Sequence, residues 1–383
     1  MSFPRFALNL LALLVFSTTS FAATLAPDAV DIMHHRYEGG GMEIDGPSIL
    51  VRKSIGTQVS VTGHYYIDSI SAASVDVIAL GSSEYTEERT EMSAGIDYLH
   101  EKTIMSMGYT NSSENDYEAN TVYFAVSQDF FGDLTTLTLG YAKGWDEVGQ
   151  RGQPENEWEE ADRSNYKIGV SQVITKHMLM GFDLDVITDE GKLENPYRRN
   201  RYIDGTAPAG YSFQQELYPD TRTSTAAALR ALYYLPYRAS VKAEYRFFRD
   251  TWGVQAHTMG AGYTHTFGDH WKADIHFRYY TQDKADFYAD IFPFAGSQTH
   301  LARDKELSTY SGTTLGLGAS YELKQGVIPG IDRLLFSVLV DRLEFTYDDF
   351  RDLTDNPGSH PVGEEPLYEF DALVSRISLI LEY

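Results

Sequence analysis

Trp271-Lys272-Ala273-Asp274-Ile275-His276-Phe277-Arg278-Tyr279 carries an apolar residue at every odd position and an ionisable one at every even position. Alternation with a period of two describes a strand with chemically opposed faces. A soluble sandwich turns its polar face to bulk water and uses strands of about 5–6 residues. Here the alternation continues unbroken, and many comparable runs reach about ten residues, the length that crosses a bilayer at a tilt. Lipid outside and a charged lumen inside satisfy both faces at once, so the stretch predicts a transmembrane β-barrel.

Neighbouring segments repeat the pattern. Between Leu137 and Trp145 the odd positions are large and the even ones small or polar. Met178, Met180, Phe182, Leu184 and Val186 share one face, with His177, Gly181, Asp183 and Asp185 opposite. Read along the chain, strands fall near 30–38, 47–54, 57–68, 89–100, 102–112, 116–129, 133–145, 161–174, 177–187, 219–235, 238–249, 254–266, 271–282, 307–324, 331–346 and 368–383. That is about 16 strands, an even number. Connections alternate between short ones, such as Glu101 and Pro236-Tyr237, and long ones at 69–88, 146–160, 188–218, 283–306 and 347–367. Short turns on one side and long loops on the other predict an up-and-down antiparallel barrel with periplasmic termini and extracellular loops. Trp145, Tyr98, Tyr233, Tyr245 and Trp271 sit near strand ends, where interfacial aromatics collect.

The chain ends agree. Arg5, the apolar run Phe6–Phe16 and the small-x-small site Ser20-Phe21-Ala22 have the layout of a cleaved signal peptide over residues 1–22. Residues 23–383 then form a single barrel domain of the Gram-negative cell outer membrane. At the other end Leu373, Ser375, Ile377, Leu379, Leu381 and Tyr383 alternate on one face and close on an aromatic. Ile377, Leu379, Leu381 and Tyr383 are read as the signal for the barrel-assembly machinery; phenylalanine is the commoner last residue. Outer-membrane lipid, lipopolysaccharide and periplasmic proteins are the other expected partners.

Composition narrows the function. The 383-residue chain has a formal charge of −24, and cleavage removes Arg5 and leaves it more negative still. Such a field repels phosphate backbones, so nucleic acid is not a partner. There is no cysteine, which excludes disulfides and thiolate metal sites. The loop acids, among them Asp146, Glu147, Glu155, Glu157, Glu159, Glu160 and Asp162, are read as solvated surface, with calcium-type binding the rival. His34-His35 is a poor chelate, and His257 and His265 stand about 26 Å apart along a strand, too far to share a metal. No metal or cofactor is expected. Gly-x-Ser-x-Gly, His-Glu-x-x-His and phosphate-cradling glycine loops are all missing, so no catalytic motif supports an enzyme.

The charged lumen face is densest in two strands. Ser240, Lys242, Glu244, Arg246 and Phe248 alternate on one, and Lys272, Asp274, His276, Arg278 and Tyr280 on the other. These strands should be second neighbours. Such ladders either brace the wall with ion pairs or tune a pore. Lys242, Glu244, Arg246, Asp250, Asp274, His276 and Arg278 are the candidate site, with Arg246, Asp250 and Arg278 expected together near a tight turn at Trp252-Gly253.

Two segments also carry a family likeness. One runs from Ser48-Ile49-Leu50-Val51-Arg52-Lys53 into Tyr65-Tyr66-Ile67-Asp68-Ser69. The other is Tyr245-Arg246-Phe247-Phe248-Arg249-Asp250-Thr251-Trp252-Gly253, with Arg278-Tyr279-Tyr280-Thr281-Gln282-Asp283 downstream. The chain resembles a family of proteobacterial outer-membrane proteins that carries only a domain-of-unknown-function label, number 3570. The resemblance implies an outer-membrane barrel. It also implies a genomic setting near a flavin-transferase-like lipoprotein and a thioredoxin-like protein, hence a periplasmic redox or flavinylation system. The leading expectation is a channel or solute-transport pore with a charged lumen. The alternatives are a closed or plugged barrel serving as a scaffold for that system, and an enzyme at the barrel rim. Loops 188–218 and 283–306, the second bearing Ile291-Phe292-Pro293-Phe294-Ala295-Gly296, have enough mass to form a plug.

Overall fold

Closure is what the opposed faces require, because an open sheet would leave backbone donors and acceptors unpaired in lipid. The computed structural model describes residues 23–72, 85–324, 328–355 and 358–383. The expected signal peptide, residues 1–22, lies outside them. Among the described residues no helix is long and apolar enough to cross a membrane.

The strands are β1 (Ala29–Gly39), β2 (Met42–Ile55), β3 (Val59–Ala72), β4 (Tyr85–His100), β5 (Thr103–Ser113), β6 (Tyr117–Phe130), β7 (Thr135–Val148), β8 (Glu159–Thr175) and β9 (Met178–Gly191). They continue as β10 (Arg199–Ile203), β11 (Tyr211–Gln215), β12 (Thr221–Leu235), β13 (Ala239–Asp250), β14 (Gln255–Phe267), β15 (Trp271–Gln282), β16 (Tyr310–Lys324), β17 (Arg333–Arg351) and β18 (Leu367–Glu382). Sixteen of them form one closed antiparallel barrel in chain order, with β1 closing on β18. β10 and β11 pair with each other as a separate hairpin between β9 and β12.

Register fixes the two faces. Arg230, Glu244, Gly260 and Arg278 are partners in turn, so even positions of β12–β15 share the inner face. Odd positions there point outward, where Phe182, Phe277 and Leu317 on neighbouring strands are also exposed, as lipid-facing residues should be. On β18 the outer face holds Leu373 and Ile377, because Arg376 and Ser378 pair into the inner ladder through Leu339 and Ser337; Tyr383 follows the strand and is exposed. Trp145 stands on the outer face near one end of β7, and Tyr98, Tyr233 and Trp271 near the opposite ends of theirs. Tyr245 departs from the expected girdle and stands in mid-strand, its hydroxyl 2.8 Å from His257 Nδ1.

Three expectations are revised. The gap left at residues 39–46 is a tight turn at Gly40-Gly41, both with positive φ, where a Cβ is strained. Several strands reach further on the long-loop side than the alternation shows: β7 runs to Val148, β8 starts at Glu159 and β9 ends at Gly191. Asp146, Glu147, Glu159, Glu160 and Asp162 are therefore strand residues. Beyond the bilayer both faces are wet, so the apolar period that marks a strand fades. The hairpin β10–β11 inside the loop 188–218 was not anticipated.

Candidate functional site

Long connections fold together over one end of the bore. Tyr202 bridges to Phe292, Leu217 to Leu301, and Tyr288 to Ala302. Leu193, Tyr218, Trp252, Val254, Ala285, Phe287, Tyr288, Ala302 and Leu307 form a buried core for this cap. It rests on a second cluster, Ala256, Tyr280, Tyr310, Tyr347, Phe350 and Tyr368, whose strand members belong to the inner ladder. The rings that the cap covers thus face the lumen, so the cap lies across the mouth on the β12–β18 side. Phe292 is buried within it and Phe294 is exposed, so the apolar stretch 291–296 enters only in part.

Ionic contacts lock the cap. Arg201 on β10 is fully buried and donates to Glu365 Oε1 at 2.7 Å and Oε2 at 3.0 Å, to the Asp290 carbonyl at 3.0 Å, and to the Asp290 carboxylate. Arg303 reaches the same Asp290 at 3.0 Å and the Arg351 carbonyl at 2.7 Å. One guanidinium therefore ties the β9–β12, β15–β16 and β17–β18 connections. The Arg201 and Asp290 contacts join residues far apart in sequence, and no local spacing signals them.

Glu216, in the same cap, is wholly buried; it accepts from the Arg303 amide at 2.6 Å and the Tyr218 hydroxyl at 2.7 Å. Burial, and then the neighbouring Asp304 carboxylate, push it up to about 7 from an ordinary value of 4.5. A carboxyl that binds its proton more tightly when docked takes up protons on docking between about pH 4.5 and 7. Cap docking therefore weakens as pH rises through that window. Limited proteolysis of the loops is expected to speed up from pH 5 to pH 8 in the wild type, and to lose most of that dependence in Glu216→Gln. Equal dependence in both proteins would assign the effect elsewhere.

The predicted ladder lies on the inner face, but most of it is braced. Glu244 accepts from Arg230 Nε at 2.9 Å, and Arg230 also meets Asp183. His276 Nε2 is 3.1 Å from Asp341 Oδ1, and Asp274 accepts from Thr264 Oγ1 at 2.5 Å. Gly316 makes room for the His276–Asp341 pair, since a Cβ there would stand 2.0 Å from the imidazole. Lys242 lies across Gly262 in the same way.

Asp250 does not join Arg246 and Arg278. It binds Arg222, with Nε at 2.8 Å, and its Oδ1 accepts the Trp252 and Val254 amides at 2.9 and 3.0 Å, fixing the expected turn. Four residues along a strand span about 13 Å, so Arg246 and Asp250 share a face without touching. Lys242, Arg246 and Arg278 have no hydrogen-bond or ion-pair partner among the described residues. Arg246 lies over Phe248 and Arg278 over Tyr280, each 5.6 Å from the ring centroid.

The opposite wall holds groups the sequence reading passed over. Asp68 and Arg89, 2.7 Å apart and nearly fully buried, are joined by His35 at 2.7 Å. Glu87, Glu114 and Asp116 bring carboxylate oxygens within 4.8 Å of one another. Burial, then the charge of Glu87, push Glu114 up to about 8, so a retained proton relieves their repulsion. His34 sits 3.7 Å from Asp45, and His265 bonds Tyr263 on the outer face at 2.8 Å.

Residues 77–331 match the profile of a family described as "Protein of unknown function (DUF3570)". The chain belongs to this family. The matched region holds the whole β13–β15 ladder together with Arg201 and Asp290, while β1–β3, β17 and β18, which close this DUF3570 barrel, lie outside it. No curated protein matches the sequence. Among solved structures, a bacterial polysaccharide outer membrane secretin is 7% identical, with a TM-score of 0.50, over 94% of this chain and 100% of that one. A FadL homologue of Pseudomonas aeruginosa is 10% identical with a TM-score of 0.43, over 96% and 93%. An outer membrane protein of Vibrio cholerae, OmpT, is 10% identical with a TM-score of 0.42, over 94% and 100%. At these identities the likeness is one of fold: this family member shares the closed antiparallel β-barrel fold of the outer membrane secretin.

Proposed function

We propose that the barrel is a pore for small anionic solutes, with a capped outer mouth and a basic stripe on its inner wall. The observation that carries this reading is the stripe itself. Lys242, Arg246 and Arg278 stand on β13 and β15 of the lumen face with no hydrogen-bond or ion-pair partner among the described residues, in a chain of net charge −24; the inner-face acids Asp31, Glu91 and Asp185 are likewise unpaired but lie on other strands. Arginines that only braced the wall would each hold a carboxylate, as Arg230 and Arg163 do. Unpaired cations in a narrow, low-dielectric passage raise the local concentration of anions. Sixteen strands enclose a lumen wide enough for water unless it is filled.

Converting Lys242, Arg246 and Arg278 together to alanine is expected to shift the reversal potential in a KCl gradient toward cation preference, with at least a severalfold fall in chloride over potassium permeability. An unchanged reversal potential would remove the stripe from the conducting path. The cap favours a second reading, a plugged barrel that anchors periplasmic partners. A refolded barrel without conductance, in the wild type and after the cap is released, would favour it over the pore.

A further inference from the structure

A cleft of about 330 Å³ opens on the cap beside the β13–β14 turn, a size within the range of small-molecule sites. Trp252 and Phe287 form its floor, and Asp286, Gln298, Thr299 and His300 surround them. The turn behind it is fixed, because Asp250 Oδ1 holds the Trp252 and Val254 amides. The Asp286 amide donates to the Trp252 carbonyl at 2.8 Å, which ties the β15–β16 connection to that turn.

Asp286 is held in place without being neutralised. Its carboxylate lies over Gly253, where φ is +91° and an added Cβ would stand 2.4 Å from Oδ1. A larger residue at 253 would be strained and would collide with it. Packing thus positions the carboxylate, which has no hydrogen-bond or ion-pair partner among the described residues. Gln298 and Thr299 are exposed and have none either. His300 meets Phe287 only ring to ring, at 6.3 Å. Four polar side chains therefore line one cleft with their hydrogen-bonding groups open.

The lining narrows the ligand. Among the described residues no lysine or arginine lines the cleft and Asp286 is its one acid. An anion is repelled there, and a metal ion lacks the several oxygen ligands it needs. The ring faces are already taken. Trp252 and Phe287 meet edge to face at 5.2 Å and 80°, Tyr218 abuts them at 5.4 and 5.5 Å, and Arg222 lies over Trp252 at 4.5 Å. What reaches the cleft is ring edge, 2% exposed on Trp252 and 7% on Phe287. Ring edges carry partial positive charge and do not hold an organic cation as ring faces do. A wholly apolar ligand would leave the polar groups unpaired. A neutral polyol suits every member of the lining, with hydroxyls for the polar groups and C–H surface for the floor.

We propose that this cleft binds a neutral monosaccharide, with Asp286 accepting from two neighbouring hydroxyls and Gln298, Thr299 and His300 completing the hydrogen bonds. The site stands apart from the lumen and does not rest on the pore reading.

The test is calorimetric titration of the refolded residue 23–383 barrel, in a detergent without a sugar headgroup, with D-glucose, D-galactose, D-mannose and N-acetyl-D-glucosamine in turn. Tetramethylammonium chloride and sodium phosphate are the charged controls. At least one sugar is expected to bind saturably, at least tenfold tighter than either control. Asp286→Ala is expected to weaken that sugar about tenfold to a hundredfold, the loss of hydrogen bonds to a charged group, and Gln298→Ala about twofold to tenfold. Neither side chain bonds to another part of the cap, so both variants should remain heat-modifiable barrels. Asp286→Asn, which keeps the shape over Gly253, carries the same readout should the alanine variant misfold. Absent binding of all four sugars, tighter binding of tetramethylammonium or phosphate, or sugar binding that neither substitution weakens would overturn the site.

Discussion

Replacing Arg201 by alanine is expected to release the cap and, on the proposed pore reading, to raise the unit conductance of the barrel severalfold. The guanidinium is fully buried and shared between Asp290 and Glu365, which belong to different connections. Its neighbours hold the Glu365 carboxyl below its ordinary range, with the Arg201 hydrogen bonds opposing the cost of burial. Removing one partner of a buried ionic network leaves uncompensated charge and costs about 3–5 kcal/mol. Glu365 would lose its guanidinium and keep the Gly363 amide, while Asp290 would keep Arg303 and the Arg351 amide. The barrel wall is bonded strand to strand and does not depend on this contact. Protease sensitivity of the loops should therefore rise sharply while the heat-modifiable band persists. Arg201→Lys should rescue little, because a single ammonium cannot reproduce the fork that spans both oxygens of Glu365. Unchanged proteolysis in Arg201→Ala would mean that the apolar core around Trp252 and Phe287 holds the cap alone.

Arg89→Ala is expected to act on the wall instead. Asp68 on β3 is 2% exposed and Arg89 on β4 is 3% exposed, so neither charge has water to fall back on. His35 contacts Asp68 from β1, and Tyr66 stacks on His35 with centroids 5.1 Å apart. Losing the guanidinium should cost about 3–5 kcal/mol and lower the temperature at which the folded band disappears. Asp68→Asn with Arg89→Met, which removes the Asp68 charge together with its partner, should recover part of the loss, since Glu91 and Glu114 also face Arg89. A double variant as unstable as the single one would show that the arginine acts through packing. The ion selectivity of both should match the wild type, because the stripe on β13 and β15 lies on another part of the wall.

The barrel was legible because lipid and lumen impose a strict period on every strand that crosses. Trp271–Tyr279 and Leu373–Tyr383 show it without interruption, and the sixteen strands, their order and the inner face of Lys242, Arg246 and Arg278 all follow from it. Legibility ended where the period did. Acids at both faces of the outer strand ends, such as Asp146 and Glu147, hid the extent of β7. The cap has no period at all: Arg201 meets Glu365 across 164 residues of sequence. The cluster of Arg246, Asp250 and Arg278 was mistaken because sharing a face does not mean touching. Arg222, on the adjoining strand, is the residue close enough to take Asp250. The free state of Arg246 and Arg278 is not readable for a related reason, since pairing depends on the register between neighbouring strands and on side-chain reach, neither of which the alternation fixes.

Reversal potential and unit conductance of the wild-type barrel, refolded into a planar bilayer across a KCl gradient, bear on the pore most directly. Discrete steps with chloride preferred over potassium are the predicted result, small with the cap docked and larger in Arg201→Ala. Steps that prefer potassium, or no steps in either protein, would contradict an anion-conducting lumen.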